Sequence, residues 1–203
     1  MRYLLPLFLS ACHFDPGTPS IADAIESIPI IDAGQDEASV ADVVKAPSRI
    51  LLIGDSQVQY MDWYFSKSGV KRSNETVFFD SKPGTTIGYW NNGVFVQEMW
   101  KYPRMDVVII MLGTNNWAFR GYHQNLTIII DEIKRRKVKC LWVGGTEVYH
   151  HHHPYINDWL RNNVSPCVFF DTEATGISLL DGVHPDLNGG IKWLHLIWQA
   201  KDQ

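Results

Sequence analysis

The sequence predicts an α/β fold, a doubly wound parallel sheet of five strands with helices on both faces. Short apolar runs such as Ile50–Ile53 and Val107–Leu112 are too continuous for strands with one wet face. Stretches of helical period stand between these runs, and alternating strands and helices give βαβ units. Three of the runs stop abruptly in small or polar residues: Gly54-Asp55-Ser56, Gly113-Thr114-Asn115 and Gly144-Gly145. In open parallel sheets, ligands bind at the carboxyl ends of strands.

Taken in order, Arg49-Ile50-Leu51-Leu52-Ile53 is the first strand, and Gly54 permits a sharp exit from the sheet. Val58 to Phe65 reads as a helix beginning at Ser56. Val77-Phe78-Phe79 is the second strand, leading to Lys82-Pro83-Gly84-Thr85-Thr86, and a helix covers part of Val94 to Lys101 after the Asn91-Asn92-Gly93 turn signal. Asp106 to Leu112 is the third strand. Leu126, Ile129, Ile130 and Ile133 recur at i, i+3, i+4 and i+7, one apolar stripe on a helix ending in Arg135 and Arg136. Cys140 to Val143 is the fourth strand, Pro154 to Asn163 a helix, Val168 to Phe170 the fifth strand, and Ile191, Leu194 and Trp198 mark a closing helix.

The 203 residues, 45% of them hydrophobic, suffice for one substantial core. A formal net charge of −4 gives no electrostatic reason to expect nucleic acid as a partner. Cys140 and Cys167 fall at the starts of two later strands. Pairing requires converging Cβ vectors, so the expectation is two buried free thiols. Neither has a CxxC or histidine spacing suited to metal. Consecutive histidines diverge on a helix or strand, so His150 to His153 are expected on an exposed loop; no metal or other cofactor is expected.

Ser56 is the candidate nucleophile, because a hydroxyl lifted clear of a sheet edge is open to substrate. Taken alone, it reads as a small residue capping the next helix, and only with the groups below does it read as a nucleophile. A serine nucleophile needs a base, a group to orient that base and donors for an oxyanion. Asp181-Gly182-Val183-His184 places a carboxylate three residues before a histidine, within reach of one loop. Gly84 and Asn115 follow the second and third strands.

The ordered blocks carrying Ser56, Gly84, Asn115 and His184 resemble the SGNH hydrolases, the GDSL-type esterases and lipases, from about Arg49 to the C-terminus. That resemblance implies a three-layer flavodoxin-like sandwich with Ser56 as nucleophile, His184 as base and Asp181 as its partner. It also implies an oxyanion hole made by the Ser56 and Gly84 amides and the Asn115 side chain. Gln57 stands where the family usually has leucine, and Asn116 where it often has aspartate. Trp117 and Trp90, close after Asn115 and Gly84, either stack on substrate or pack beneath the loops.

Residues 1–12 read as a lipoprotein-type signal segment: Arg2, an apolar stretch from Leu4 to Leu9, then Leu9-Ser10-Ala11-Cys12. Its resemblance to a bacterial lipobox makes Cys12 the expected lipidation site and membrane anchor. Residues 13–47 carry seven acidic side chains against one Lys45, with four prolines, and read as a flexible acidic tether. Residues 48–203 form the hydrolase domain. The address is the cell envelope, lipid-anchored at the outer membrane or cell surface, or secretion.

The expected activity is that of a serine esterase removing acetyl-like groups from a polysaccharide or cell-wall glycan through an acyl-enzyme. The alternatives are a lipase, lysophospholipase or thioesterase with the same machinery, and a surface binding protein without turnover.

Overall fold

A computed structural model describes residues 47–70, 73–116, 125–146 and 154–203. The strands are β1 (Ser48–Gly54), β2 (Glu75–Ser81), β3 (Val107–Met111), β4 (Lys139–Val143) and β5 (Val168–Phe170). They pair in parallel in the order β2-β1-β3-β4-β5. The helices are α1 (Ser56–Ser68), the single turn α2 (Ile87–Tyr89), α3 (Phe95–Lys101), α4 (Thr127–Arg136), α5 (Pro154–Asn163) and α6 (Leu187–Lys201). A kink, Trp90–Val94, joins α2 to α3, with Gly93 at φ 87°.

Because β1 is buried on both sides, its side chains alternate between two cores. Leu51 and Ile53, with Val108, Ile110 and Trp142, pack against Trp90, Phe95, Ile129 and Leu160 from the α2–α5 side. Ile50 and Leu52, with Ile109, Met111 and Leu141, pack against Val58, Met61 and Tyr64 of α1 and against Trp193, Leu194 and Trp198 of α6. The expected three-layer sandwich is therefore the observed one.

Element boundaries are set by local contacts. Helix α1 starts at Ser56, because the Asp55 side chain caps it by accepting from the Gln57 amide. Strand β2 runs two residues beyond its apolar centre at each end, since Glu75 and Thr76 pair with Ser48 and Arg49. Glu75 is buried there and is held by the Trp198 indole N–H (2.9 Å) and the Lys201 ammonium (2.7 Å). These contacts tie the start of β2 to the last turn of α6.

The cysteines differ from expectation: Cys140 and Cys167 form a disulfide, with Cα atoms 4.5 Å apart. The register decides it. Leu141 pairs with Val168, so the preceding residues lie opposite each other, and both cysteines belong to the same face of the sheet. Cys12, residues 13–46 of the expected tether, Trp117 and the histidine run at 150–153 lie outside the described residues.

Closing a loop between cysteines 27 positions apart restricts the unfolded chain. Replacing both cysteines by alanine is therefore expected to lower the unfolding free energy by about 3 kcal/mol in a urea titration. An unchanged transition midpoint, with the bond confirmed in the wild type, would contradict this.

Candidate active site

The sheet order reverses direction between β1 and β3, and the site lies at the carboxyl end of that pair. Gly54 ends β1 against β3; a Cβ there would stand 2.1 Å from the Met111 carbonyl oxygen, so only glycine fits. The next amide, on Asp55, donates to the same oxygen at 3.2 Å. The chain then enters α1, which places Ser56 in its first turn, beside amides that have no intrahelical acceptor.

Ser56 Oγ lies 2.9 Å from His184 Nε2, across 128 residues of sequence, and His184 Nδ1 lies 2.8 Å from Asp181 Oδ2. The second carboxylate oxygen, Oδ1, accepts from the amides of Val183 (2.9 Å) and His184 (2.7 Å). One side chain thus shapes the turn and orients the ring. Burial pushes the Asp181 carboxyl up, but hydrogen bonds from the His184 ring and from the His184 and Val183 amides outweigh it and lower it to about 2. An ionised carboxylate can only accept, so the ring proton belongs on Nδ1 and Nε2 is left to accept from Ser56. Tyr60, one turn after Ser56 on α1, stacks on the imidazole with centroids 4.4 Å apart and planes 18° apart.

The other two sequence blocks converge on each other. Gly84 sits at φ 74°, a left-handed turn that favours glycine, in a loop whose Thr85 carbonyl accepts from Asn115 Nδ2 at 3.0 Å. The same Nδ2 donates to Asp55 Oδ2 at 3.3 Å, so both amide protons of Asn115 meet protein acceptors. Next to it, Asn116 Oδ1 accepts from the Ile87 amide (3.1 Å). An aspartate at that position would accept equally well, which accounts for the departure from the family pattern. Lys82, at the start of the Gly84 loop, pairs with Glu98 at 2.9 Å.

Trp90 does not face a substrate. It is fully buried, and its indole N–H donates to Thr85 Oγ1 at 2.8 Å, so its role is to anchor the Gly84 loop from the core. It packs there in one core cluster with Leu51, Ile53 and Phe95.

Three neighbours of the site went unread in the sequence. Tyr60 and Trp63 carried a signal, since i+4 and i+7 from Ser56 share a helix face. They line an apolar groove of about 530 Å³ with Gln59, Tyr64, Leu180 and Leu187. Trp63 and Leu180 are 49% and 69% exposed, an unusual apolar display beside a histidine. Thr146, after β4, carried no signal at all; it enters because the fold brings it to Val183. Asp55 is fully buried, and desolvation raises its carboxyl to about 7 against the opposing hydrogen bond from the Gln57 amide.

Known structures resemble this architecture. A Bacteroides fragilis protein assigned as an acylhydrolase superimposes with a TM-score of 0.58 at 17% identity, covering 83% of this chain and 98% of that one. The shared architecture is a parallel sheet with helices on both faces. The acetyl xylan esterase AlAXEase gives a TM-score of 0.54 at 16% identity, over 75% and 98% of the two chains. Axe2, an acetylxylan esterase from Geobacillus stearothermophilus, gives 0.55 at 15%, over 78% and 95%. No family model and no curated protein sequence matches the chain. The likeness to these proteins is thus one of fold.

The Asp55 environment makes a prediction. Its folded carboxyl titrates near 7 and its unfolded one near 3.8, so between these values the folded state holds a proton that the unfolded state releases. The Asp55 contribution to stability therefore falls as pH rises through 4 to 7 and is lowest above 7. Asp55→Asn keeps a capping oxygen and cannot ionise. Its melting temperature, relative to wild type, is expected to rise from pH 4 to pH 8, and a constant difference would contradict the raised carboxyl.

Proposed function

We propose that residues 48–203 are a serine esterase that works through an acyl-enzyme. The observation that carries this is the unbroken relay from Asp181 through His184 to Ser56, at 2.8 and 2.9 Å, at the carboxyl edge of the sheet. Ser56 Oγ attacks the ester carbonyl as its proton passes to His184 Nε2. Asp181 holds the opposite ring proton and stabilises the imidazolium. Collapse of the tetrahedral intermediate expels the alcohol, which takes the proton from His184. Water, deprotonated by the same nitrogen, then cleaves the acyl-serine and releases the acid. With its carboxyl lowered to about 2, Asp181 stays ionised through any acid limb above that pH.

The developing oxyanion is received by the Ser56 and Gly84 amides and by Asn115. Asn115 is already engaged twice, so it serves by exchanging an acceptor. The longer bond, to Asp55 at 3.3 Å, is the one that yields.

Within this class, the reading is removal of acetyl-like groups from a glycan at the cell envelope. It is supported by the acetylxylan esterases that share the fold, two of whose Axe2 structures carry catalytic mutations of a serine and an aspartate. An envelope or extracellular address is supported by the signal-like segment ending at Cys12, by the acidic stretch 13–47 as a tether, and by the Cys140–Cys167 disulfide, since such bonds persist in oxidising compartments. The apolar groove at Tyr60, Trp63 and Leu180 favours a second reading, esters with an extended apolar part such as lipids or thioesters. A non-catalytic binding role leaves the relay at Ser56 without a purpose.

Hydrolysis of p-nitrophenyl esters from acetyl to palmitoyl separates these readings. Short-chain preference abolished in Ser56→Ala is expected for the acetyl esterase, rates rising with chain length for the lipid reading, and no Ser56-dependent rate for a binding protein. In the same assay Asn115→Ala is expected to lower kcat by about 10²- to 10³-fold, the scale of one oxyanion donor. An unchanged kcat would remove Asn115 from the mechanism.

A further inference from the structure

Gln57 replaces the leucine usual after the nucleophile in the resembled family, and the esterase chemistry leaves its amide unused. It is 1% exposed. Its Nε2 donates to the Val183 carbonyl at 3.0 Å and to Thr146 Oγ1 at 3.2 Å, and Thr146 Oγ1 donates in turn to the Val183 carbonyl at 2.6 Å. Its Oε1 is buried and meets no donor among the described residues. A leucine would fill this position without that burden, so stability alone does not account for an amide here.

The acceptor explains the choice. The Val183 carbonyl and the His184 amide belong to one peptide plane. Asp181 grips the His184 end of that plane, but Asp181 travels with the same turn. Gln57 and Thr146 grip the carbonyl end from α1 and from the segment after β4, both anchored to the sheet. Tyr64 adds a hydrogen bond from its hydroxyl to the Pro185 carbonyl. Rotation of the plane would swing the imidazole away from Ser56, and Gln57 opposes that rotation from the residue adjacent to the nucleophile. We infer that Gln57, together with Thr146, is a positioning residue: by holding the Val183 carbonyl it sets the His184 ring against the Ser56 hydroxyl. This rests on the reading of Ser56 and His184 as nucleophile and base.

The test compares Gln57→Leu, Thr146→Val, Thr146→Ser and the Gln57→Leu/Thr146→Val pair, by turnover of p-nitrophenyl acetate, by the rate at which a fluorophosphonate labels Ser56, and by melting temperature. In Gln57→Leu, kcat and the labelling rate are expected to fall together by about 10- to 100-fold, the cost of a displaced reacting group, with KM little changed and the melting temperature held or raised. Thr146→Val is expected to lose both rates and Thr146→Ser to keep them. The double variant is expected to lose less than the product of the single losses, because both residues act on one carbonyl. Wild-type labelling with unaltered rates in Gln57→Leu overturns the inference alone, as does a loss matched by the unfolded fraction. Should Gln57→Leu fail to fold, equal rates in Thr146→Val and Thr146→Ser overturn it. A wild type neither labelled at Ser56 nor active on any ester overturns the esterase reading and this inference together.

Discussion

At Gly54 the backbone of β1 runs so close to β3 that a methyl group on its Cα would lie 2.1 Å from the Met111 carbonyl oxygen. Strand, turn and helix all depend on that approach. It lets the Asp55 amide reach the Met111 carbonyl, turns the chain out of the sheet within one residue, and leaves the Asp55 side chain free to cap α1. The serine then projects over the carboxyl edge, where the segments following β2, β3 and β4 also end. A larger residue at Gly54 would force β1 from β3 and displace every group that meets Ser56.

The site is assembled from pieces that are rigid for separate reasons. Backbone pairing across β1 and β3 sets Ser56. The Gly84 loop is held from below by the Trp90 indole and from the side by Lys82 on Glu98, whose carboxyl is pushed up by burial but brought down to about 2 by Lys101, Lys82 and Asp80. The turn carrying His184 is shaped internally by Asp181 and fastened externally by Gln57, Thr146 and Tyr64. Such preorganisation is what an acyl-transfer site requires, since its donors and base must already stand where charge will develop. Asp55 is the costly member: a fully buried carboxyl that caps the helix beginning at Ser56 and accepts from Asn115. That cost is desolvation, offset in part by the hydrogen bonds the carboxyl accepts.

The apolar groove beside Tyr60 bears on substrate in a different way. Two of its polar groups are already committed, Tyr64 to the Pro185 carbonyl and Asp186 to the Gly189 amide and Ser178 hydroxyl. Its exposed walls are Trp63, Leu180 and Leu187. A ligand there gains by covering rings and methyl groups.

The sequence by itself determined the layers and their order. Continuous apolar runs are legible because a strand buried on both faces needs apolar side chains at every position, and the Leu126–Ile133 stripe is legible because helical period is local. Ser56, His184 and Asp181 were legible as residue types in small-residue turns, two of them within one short segment. Tertiary structure alone decided what those turns touch. Pairing of Cys140 with Cys167 follows from the β4–β5 register, which no local pattern encodes. Trp90 went to the core and not the cleft, where its indole N–H meets the Thr85 hydroxyl, a contact set by packing between elements. Gln57 meets Val183 across 126 residues of chain and Thr146 meets it across 37, and hydrogen bonds at such separations depend on how packed elements close on each other.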